Sequence, residues 1–498
     1  MQAAQSIAHN TPGTKLPPQL PAGTASTLRC VIENFSFHAS PESFIASKIQ
    51  QLQASDPTIL DRRTPVRAKI LNRNVAIISS YHQIQAILNA ESETGSDDPP
   101  YVAARAYDEL MRDFFPPPNV LLSDGCPHRS MKRPWDARMK RIGDLSRLIS
   151  DIMSSLFAGG AADAWINCIP LNAEVDLYES MKTLAWRVLL RAFLDLSPND
   201  SLFRHVQSLH EDLLRGQFSL MPVSINTGFW RSPRSRGIQA RRKLQKLISE
   251  RLKVLRKSGS GCAQSCARPV PEDIYAEVTF EQIRDHILMM TSSLAVKGLA
   301  SLLTAFLLNL FLLDRDGVGL VAELNDMTGP DAAQQRRRHL QSIYLETERL
   351  SPPIVGIMRK AARDLVVQGI DGGADTLLPS GWDVWLYFVG GGRDPEVFGM
   401  TCNSFDPDRY INRDTRNPLG FGAGPKSCLG VAFVREVILL VAEWLLDNRT
   451  TMNDTEPRIG VRAWLGWEDA SPKQWAADMK QLPTQHPSAP VIVSFVQQ

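Results

Sequence analysis

The sequence predicts a mainly helical fold with a small β lobe, on three observations. Ile287 to Leu313 is the longest apolar stretch of the chain and reads as a buried core helix. Near the C-terminal end, the glycine-rich turn Phe421-Gly422-Ala423-Gly424-Pro425-Lys426-Ser427-Cys428-Leu429-Gly430 is followed from Val431 by a run apolar on most faces, so a second buried helix begins just after Cys428. Toward the N-terminus, alternation in Val66-Arg67-Ala68-Lys69-Ile70 and in Asn74-Val75-Ala76-Ile77-Ile78-Ser79 predicts the β-hairpin of the minor lobe.

At 498 residues the chain is long enough to bury a large core, and length alone suggests two to four domains. A net charge of +2, with no repeat and no long block of like charge, gives no nucleic-acid signature. The seven cysteines, Cys30, Cys126, Cys168, Cys262, Cys266, Cys402 and Cys428, are scattered, odd in number and without paired metal spacing, which fits a reducing compartment. Cys262 and Cys266 lie in a Ser/Gly-rich loop and read as incidental surface thiols. Met1 to Leu28 is polar and proline-rich, with no apolar core of the length a signal peptide or anchor needs. Three readings stay open: a soluble protein, one touching the cytoplasmic side of a membrane only peripherally, or a chain whose start is incomplete.

In chain order, residues 1–27 are expected to be flexible, and 28–498 to form the folded part. Ser40-Pro41 reads as a helix start. Pro99 to Pro127, with Phe114-Phe115 and Pro116-Pro117-Pro118, is too proline-rich for regular helix. A helix carrying His128 and Lys132 on one face follows, with Arg133 a rival for Lys132 and Pro134 expected to end it early. From Val175 to about Leu255 helical patterns dominate, with breaks at Ser219 to Pro222 and Arg231 to Pro233. The basic run Arg231 to Lys246 solvates a helix face or, more sharply read, meets a membrane. Lys257 to Pro271 is expected to be a loop. As a membrane span the long apolar stretch fails, because Lys297 cuts it and the uncharged part, Gly298 to Leu313, has 16 residues where about 20 are needed. Further on, Glu346 and Arg349 share a helix face, Ser351 to Val355 leaves that helix in extended form, Pro379 to Trp382 turns, and Asp383 to Val389 reads as a strand.

Gly422, Gly424 and Gly430 allow backbone angles and close approaches that a β-carbon resists, so the turn before Val431 presents the Cys428 sulfur from a fixed place at a helix N-terminus, where a thiolate is favoured. The pattern Phe-x-x-Gly-x-x-x-Cys-x-Gly resembles the haem-binding loop of the cytochrome P450 family, the haem-thiolate monooxygenases. The resemblance runs in the family's order from about residue 30 to 498 and is densest from Glu346 onward, where Phe405-Asp406-Pro407-Asp408-Arg409 is similar to the family's Phe-x-Pro-x-Arg motif.

The resemblance implies one large cytochrome P450 domain, with haem b (heme b) between the long central helix and the cysteine loop. It implies Cys428 as the axial iron ligand, whose thiolate pushes electron density onto the metal, and Phe421 beside it. His128, Lys132, Arg359 and Lys426 are implied as the groups that hold the propionates. Lys426 stands where the family usually has arginine or histidine, and keeps the charge without the bidentate fork. Glu346, Arg349 and Arg409 are implied to interlock and fix the segment supporting the cysteine loop. Phe114 and Phe115, in a segment like the variable roof of the family's pocket, and Ile354 and Val355, on its pocket strand, are implied to line the substrate site. The long helix departs from the family: Leu294 and Ala295 occupy the place of the usual carboxylate and threonine that relay protons. Protons must then come through water, from the substrate, or from Thr291, Ser292 or Ser293 one turn earlier; Lys297 is expected to reach toward polar backbone or solvent.

The function so implied is monooxygenation of a small apolar molecule, with electrons from NADPH through a separate reductase, since no FMN, FAD or NADPH domain is visible. Leu350-Ser351-Pro352-Pro353 and the atypical long helix are similar to fungal biosynthetic members, which suggests a terpenoid, alkaloid or polyketide secondary metabolite. Two rivals stand beside it: a haem-thiolate enzyme that rearranges, dehydrates, cyclises or couples its substrate without inserting oxygen, and a non-catalytic haem sensor or carrier.

Overall fold

A computed structural model gives the structure of the chain. It describes residues 35–498 apart from 56–62, 71–72, 94–99, 141–145, 148, 151–172, 220–223, 228–229, 259–271, 316–317, 371–374, 412–415, 449, 469–470, 472–473, 475–476 and 498. The proline-rich start, Cys30, Cys168, Cys262, Cys266 and nearly all of the loop expected from Lys257 to Pro271 lie outside the described residues.

Six helices position the site: α1 (Gly125–Lys140), α2 (Ser201–Gln217), α3 (Phe280–Met290), α4 (Ser293–Leu312), α5 (Ala332–Leu350) and α6 (Val431–Asp447). α4 is buried along most of its length, from Val296 through Leu310, because its sequence is apolar on nearly every face. It packs against the helix Leu177–Leu194 and against α5, where Asn309 donates to the Thr347 hydroxyl at 3.0 Å and accepts from the Trp467 indole at 2.9 Å. Phe280–Leu312 passes as a membrane span by length and composition alone, yet 72% of its most apolar window is buried inside the fold.

The β lobe is a five-stranded sheet built from β1 (Val66–Ile70), β2 (Arg73–Ile78), β3 (Tyr101–Val102), β4 (Gly356–Ala361) and β5 (Asp383–Tyr387), in the order β1-β2-β5-β4-β3. The expected hairpin is present, with Ala68 opposite Val75. β5 runs parallel to β2, with Trp385 beside Ile77, and antiparallel to β4, with Trp385 beside Met358. All five residues of β5 are buried, as a strand covered on both faces requires. Through β4 this sheet carries the chain from α5 toward Arg359.

Several elements differ from the sequence expectation. The long apolar helix is two helices, because Thr291 and Ser292 interrupt it and the Ser292 hydroxyl caps α4 by accepting from the Ala295 N–H at 3.3 Å. α1 does not end at Pro134 but runs on to Lys140. The missing N–H and the ring clash of a mid-helix proline are offset by burial of Met131, Lys132 and Trp135 around it, with the Trp135 indole donating to His286 Nδ1 at 2.9 Å. Pro99 to Pro127 contains β3 and a helix over Ala103–Met111, since no proline falls between Pro100 and Pro116. The strand from Asp383 ends at Tyr387, and Gly390 to Gly392 turn away in a short helix. A β-carbon at Gly392 would fall 2.4 Å from the Arg349 carbonyl, so the chain passes α5 too closely for any other residue. The Ser40-Pro41 start is found as expected, in a helix over Pro41–Ser55.

Two buried histidines tie α3 to its neighbours. His210 on α2 has Nε2 3.1 Å from Thr291 Oγ1, whose own proton goes to the Ile287 carbonyl at 2.8 Å, so the imidazole is the donor. Burial pushes His210 down to about 3; His286 is pushed down to about 4 by burial, against the pull of Asp285. Both are neutral in the folded protein and take up a proton on unfolding below about 6.5, so their contribution is present above that pH and is lost as the pH falls. By pH 5 each removes about 2 kcal/mol. Denaturant midpoints measured from pH 8 to 5 should fall steeply in the parent and less steeply in His210→Gln and His286→Gln; a parent midpoint flat across that range contradicts the neutral assignment.

Candidate haem-thiolate site

The site is built outward from the last turn of α5. Glu346, Arg349 and Arg409 are 0%, 1% and 2% exposed, so three charges sit out of water and must satisfy one another. Arg349 grips the Glu346 carboxylate with two bonds at 2.6 and 2.7 Å, and Arg409 Nε adds contacts at 3.1 Å to both oxygens. The remaining guanidinium protons are spent on backbone: Arg349 donates to the carbonyls of Gly392, Cys402 and Ser404, and Arg409 to those of Phe398 and Thr401. The Asp406 N–H donates to Glu346 Oε1 at 2.9 Å. One carboxylate and two arginines therefore pin the irregular chain from 392 to 409, which leads directly into the cysteine loop.

In that loop Gly422 and Gly424 have φ of +71° and +64°, the left-handed region that glycine reaches without strain. A β-carbon on Gly424 would meet the Leu88 carbonyl at 2.3 Å, which fixes the loop against the helix Tyr81–Glu93. Gly430 is different from the sequence expectation, with an ordinary φ of −82°; what it supplies is room, since a β-carbon there would stand 3.7 Å from Cys428 Sγ. The Cys428 N–H donates to the Phe421 carbonyl at 2.9 Å, and the Gly430 N–H points at the sulfur at 3.3 Å, one residue before α6 begins. The sulfur is accessible although the loop around it is crowded. Burial pushes the thiol up in the chain alone, against the Gly430 N–H and Lys132, which favour thiolate, and with Glu348 opposing it. The N-terminal position that favours thiolate is thus outweighed by desolvation in the chain alone.

Cations converge beside the loop. Lys132 donates from α1 to the carbonyls of Pro425 and Ser427 at 2.5 and 2.6 Å. Lys426 donates to the carbonyls of Ser123 and Val120 and pairs with Asp124 at 3.0 Å. His128 is pushed down to about 3 by burial and then by the charges of Lys426, Lys132, Arg129 and Arg359, so it is a neutral imidazole among cations. Arg133, the rival for Lys132, instead reaches Glu277 on the surface at 2.8 Å. Arg359 is buried on β4 and donates to the Met358 carbonyl at 3.0 Å.

The long-helix residues divide by face. Leu294, Ala295, Lys297 and Gly298 are partly accessible at the start of a helix that is buried from Leu299 to Leu310, and a β-carbon at Gly298 would meet nothing within 4 Å. Ser293 is fully buried, Ser292 serves as the cap of α4, and Thr291 is bound to Ile287 and His210. Lys297 faces Glu211 on α2 at 3.8 Å rather than solvent or backbone. Ile354 is partly accessible and Val355 fully buried, at the point where the chain leaves α5 for β4. Phe114 departs from its expected place on an open pocket wall: it is fully buried where α2 crosses the helix Pro233–Ser258, beside Gly216 and Gly237, with the Arg234 guanidinium 5.3 Å above its ring. Phe115 is buried next to it.

The family profile described as Cytochrome P450 matches residues 329–457, which contain the charge cluster and the cysteine loop. Cytochrome P450 90D2 of Oryza sativa subsp. indica is 26% identical over 342 residues, covering 66% of each chain, and its namesake in Brachypodium distachyon is 26% identical over 313 residues, 59% of this chain and 56% of the relative. The matched region thus spans less than two thirds of these relatives. A cytokinin hydroxylase of Arabidopsis thaliana is 28% identical over 137 residues, 27% of this chain and 24% of the relative. A solved structure, the retinoic acid bound cyanobacterial CYP120A1, superposes with a TM-score of 0.63 at 18% identity, over 87% of this chain and 92% of the other. Cytochrome P450SP alpha (CYP152B1) in complex with (R)-ibuprophen gives 0.63 at 16% identity, over 93% and 98%. The fold is the cytochrome P450 fold, and residues 329–457 match the cytochrome P450 family, whose members carry haem ligated by a cysteine thiolate.

The residues present fit that group. The accessible Cys428 sulfur stands on its loop with no side chain at Gly430 to obstruct it, and the charges of Lys132, Lys426 and Arg359 act on a neutral His128, as a site for two carboxylates would require. The sequence reading passed over Glu348, a further buried acid on α5; its signal was the unusual Glu-Thr-Glu-Arg run. Replacing Glu346 with Gln leaves two buried guanidinium groups without their counter-charge and should cost about 3–5 kcal/mol of stability, read from the denaturant midpoint. A change within about 0.5 kcal/mol would show that the cluster does not hold the segment from 392 to 409.

Proposed function

We propose that the protein is a haem-thiolate monooxygenase that oxidises a small apolar substrate with electrons delivered from NADPH by a separate reductase. The observation that carries this reading is the accessible Cys428 sulfur on its pinned loop beside the cations around His128. Haem bound there supplies the iron at which dioxygen is reductively activated. The chain's own residues would orient it: Cys428 would hold the metal, and Lys132, Lys426, Arg359 and His128 would hold the propionates. Phe421 supports the sulfur through its carbonyl, and Glu346, Arg349 and Arg409 hold the segment that carries the loop. Leu294, Ala295, Ile354, Val355 and Phe115 shape an apolar substrate space, with Phe114 bracing it from behind. The relatives named above, a cytokinin hydroxylase among them, support small-molecule oxidation as the class, and secondary metabolism is the setting proposed for it. The free Cys126, Cys402 and Cys428 accord with a reducing compartment, and a soluble or peripherally attached protein is the setting proposed.

A second reading is favoured by one observation. The accessible positions in the first turns of α4 are Leu294, Ala295, Gly298 and Lys297, and the lysine is turned to Glu211 on α2, while Ser292 and Thr291 are committed to the backbone and Ser293 is enclosed. Proton delivery along that face then falls to water or to the substrate, which suits rearrangement, dehydration, cyclisation or coupling without oxygen insertion. Turnover with reductase, NADPH and isotopically labelled dioxygen separates the two. Label in the product is the expected result; product formed without label overturns monooxygenation in favour of the second reading.

A further inference from the structure

We propose that Glu348 is a positioning residue for the cysteine loop, acting through the backbone of Gly420 and Phe421; the inference rests on Cys428 being the iron ligand. Glu346 and Glu348 are two residues apart on α5, so they point to different sides of the helix, about 200° apart. The first serves the 392–409 segment, as described above. The second is buried and turned toward the start of the cysteine loop, where its carboxyl faces the N–H groups of Gly420 and Phe421.

The approach is close enough to dictate sequence. A β-carbon on Gly420 would come within 2.9 Å of Glu348 Cγ and 3.1 Å of its Oε1, so position 420 has no room for a side chain while Glu348 holds this place. Phe421 then passes the restraint on, because its carbonyl accepts the Cys428 N–H at 2.9 Å. The path is carboxyl to the 420–421 amides, and from the Phe421 carbonyl to the N–H of the residue that carries the sulfur. Arg435, near the start of α6, adds an opposite charge to the same group.

Burial pushes Glu348 up to about 8, with Tyr344, the two amides and Arg435 pulling the other way. A neutral carboxylic acid retains the lone pairs that the two N–H groups need, and a carboxamide offers a similar acceptor oxygen. Glutamine therefore replaces Glu348 in this role, whereas leucine fills the volume and orphans two buried donors.

The test uses the haem-loaded full chain as parent, Glu348→Gln, Glu348→Leu and Gly420→Ala. Two readouts are followed: the share of the reduced carbon monoxide complex showing the red-shifted thiolate band, and the rate of haem transfer to apomyoglobin. Glu348→Gln is expected to match the parent within about twofold, and Glu348→Leu to lose roughly half of the red-shifted band and release haem about tenfold faster, the scale of an orphaned buried N–H. Gly420→Ala, which displaces the carboxyl without removing it, should lie between them and keeps the test decisive if the leucine variant does not fold. A folded Glu348→Leu or Gly420→Ala with the parent's band and haem-loss rate overturns the inference, as does a glutamine variant as impaired as leucine. A parent without the red-shifted band overturns the haem-thiolate reading itself, and this inference with it.

Discussion

The structure depends on a single buried carboxylate. Glu346 sits where water does not reach, and two guanidinium groups neutralise it while donating their remaining protons to the carbonyls of residues 392, 398, 401, 402 and 404. Those carbonyls belong to chain with little regular structure, which on its own has no ladder to satisfy them. The cluster thus does the work of a sheet or helix for a segment that must instead follow the contour of the cysteine loop. Such an arrangement is a poor source of net stability and a strong source of geometric definition, because removing any one charge leaves the others uncompensated.

From that anchor the geometry propagates in two directions. Along the chain it reaches Gly422, Gly424 and Cys428, where two left-handed glycines and the Leu88 carbonyl set the path of the backbone. Across the fold it reaches α4 through Asn309 and Thr347, so the apolar helix and the cysteine loop are both referenced to α5. Lys132 closes the circuit by tying α1 to Pro425 and Ser427. Backbone carbonyls hold the Lys132 ammonium in this place, so it loses little freedom in meeting any further anionic partner.

Much of this was legible in the residues because it depends on types with narrow physical roles. Glycines at 422 and 424, a cysteine ahead of an apolar helix, and Glu346 three residues before Arg349 each restrict the local geometry, and alternation marked the hairpin at 66–78. What escaped the sequence was tertiary. The break at Thr291-Ser292 is invisible to hydropathy because serine and threonine caps sit inside an apolar run. Pro134 reads as a helix stop until Trp135 and His286 are seen to hold its flanks. Phe114 reads as pocket lining until Gly216 and Gly237 are seen to enclose it. Glu348 carries no local signature of its partner, since the amides it faces lie 72 residues away, at position 420, in backbone that any sequence supplies.

The proposed function requires a bond between the Cys428 sulfur and iron, which iron K-edge X-ray absorption on the haem-loaded ferric protein reads without recourse to turnover. One sulfur scatterer is expected in the first shell at about 2.3 Å, the distance usual for a metal–thiolate bond, in addition to the porphyrin nitrogens. A first shell of nitrogen and oxygen alone in the haem-bound protein would contradict it.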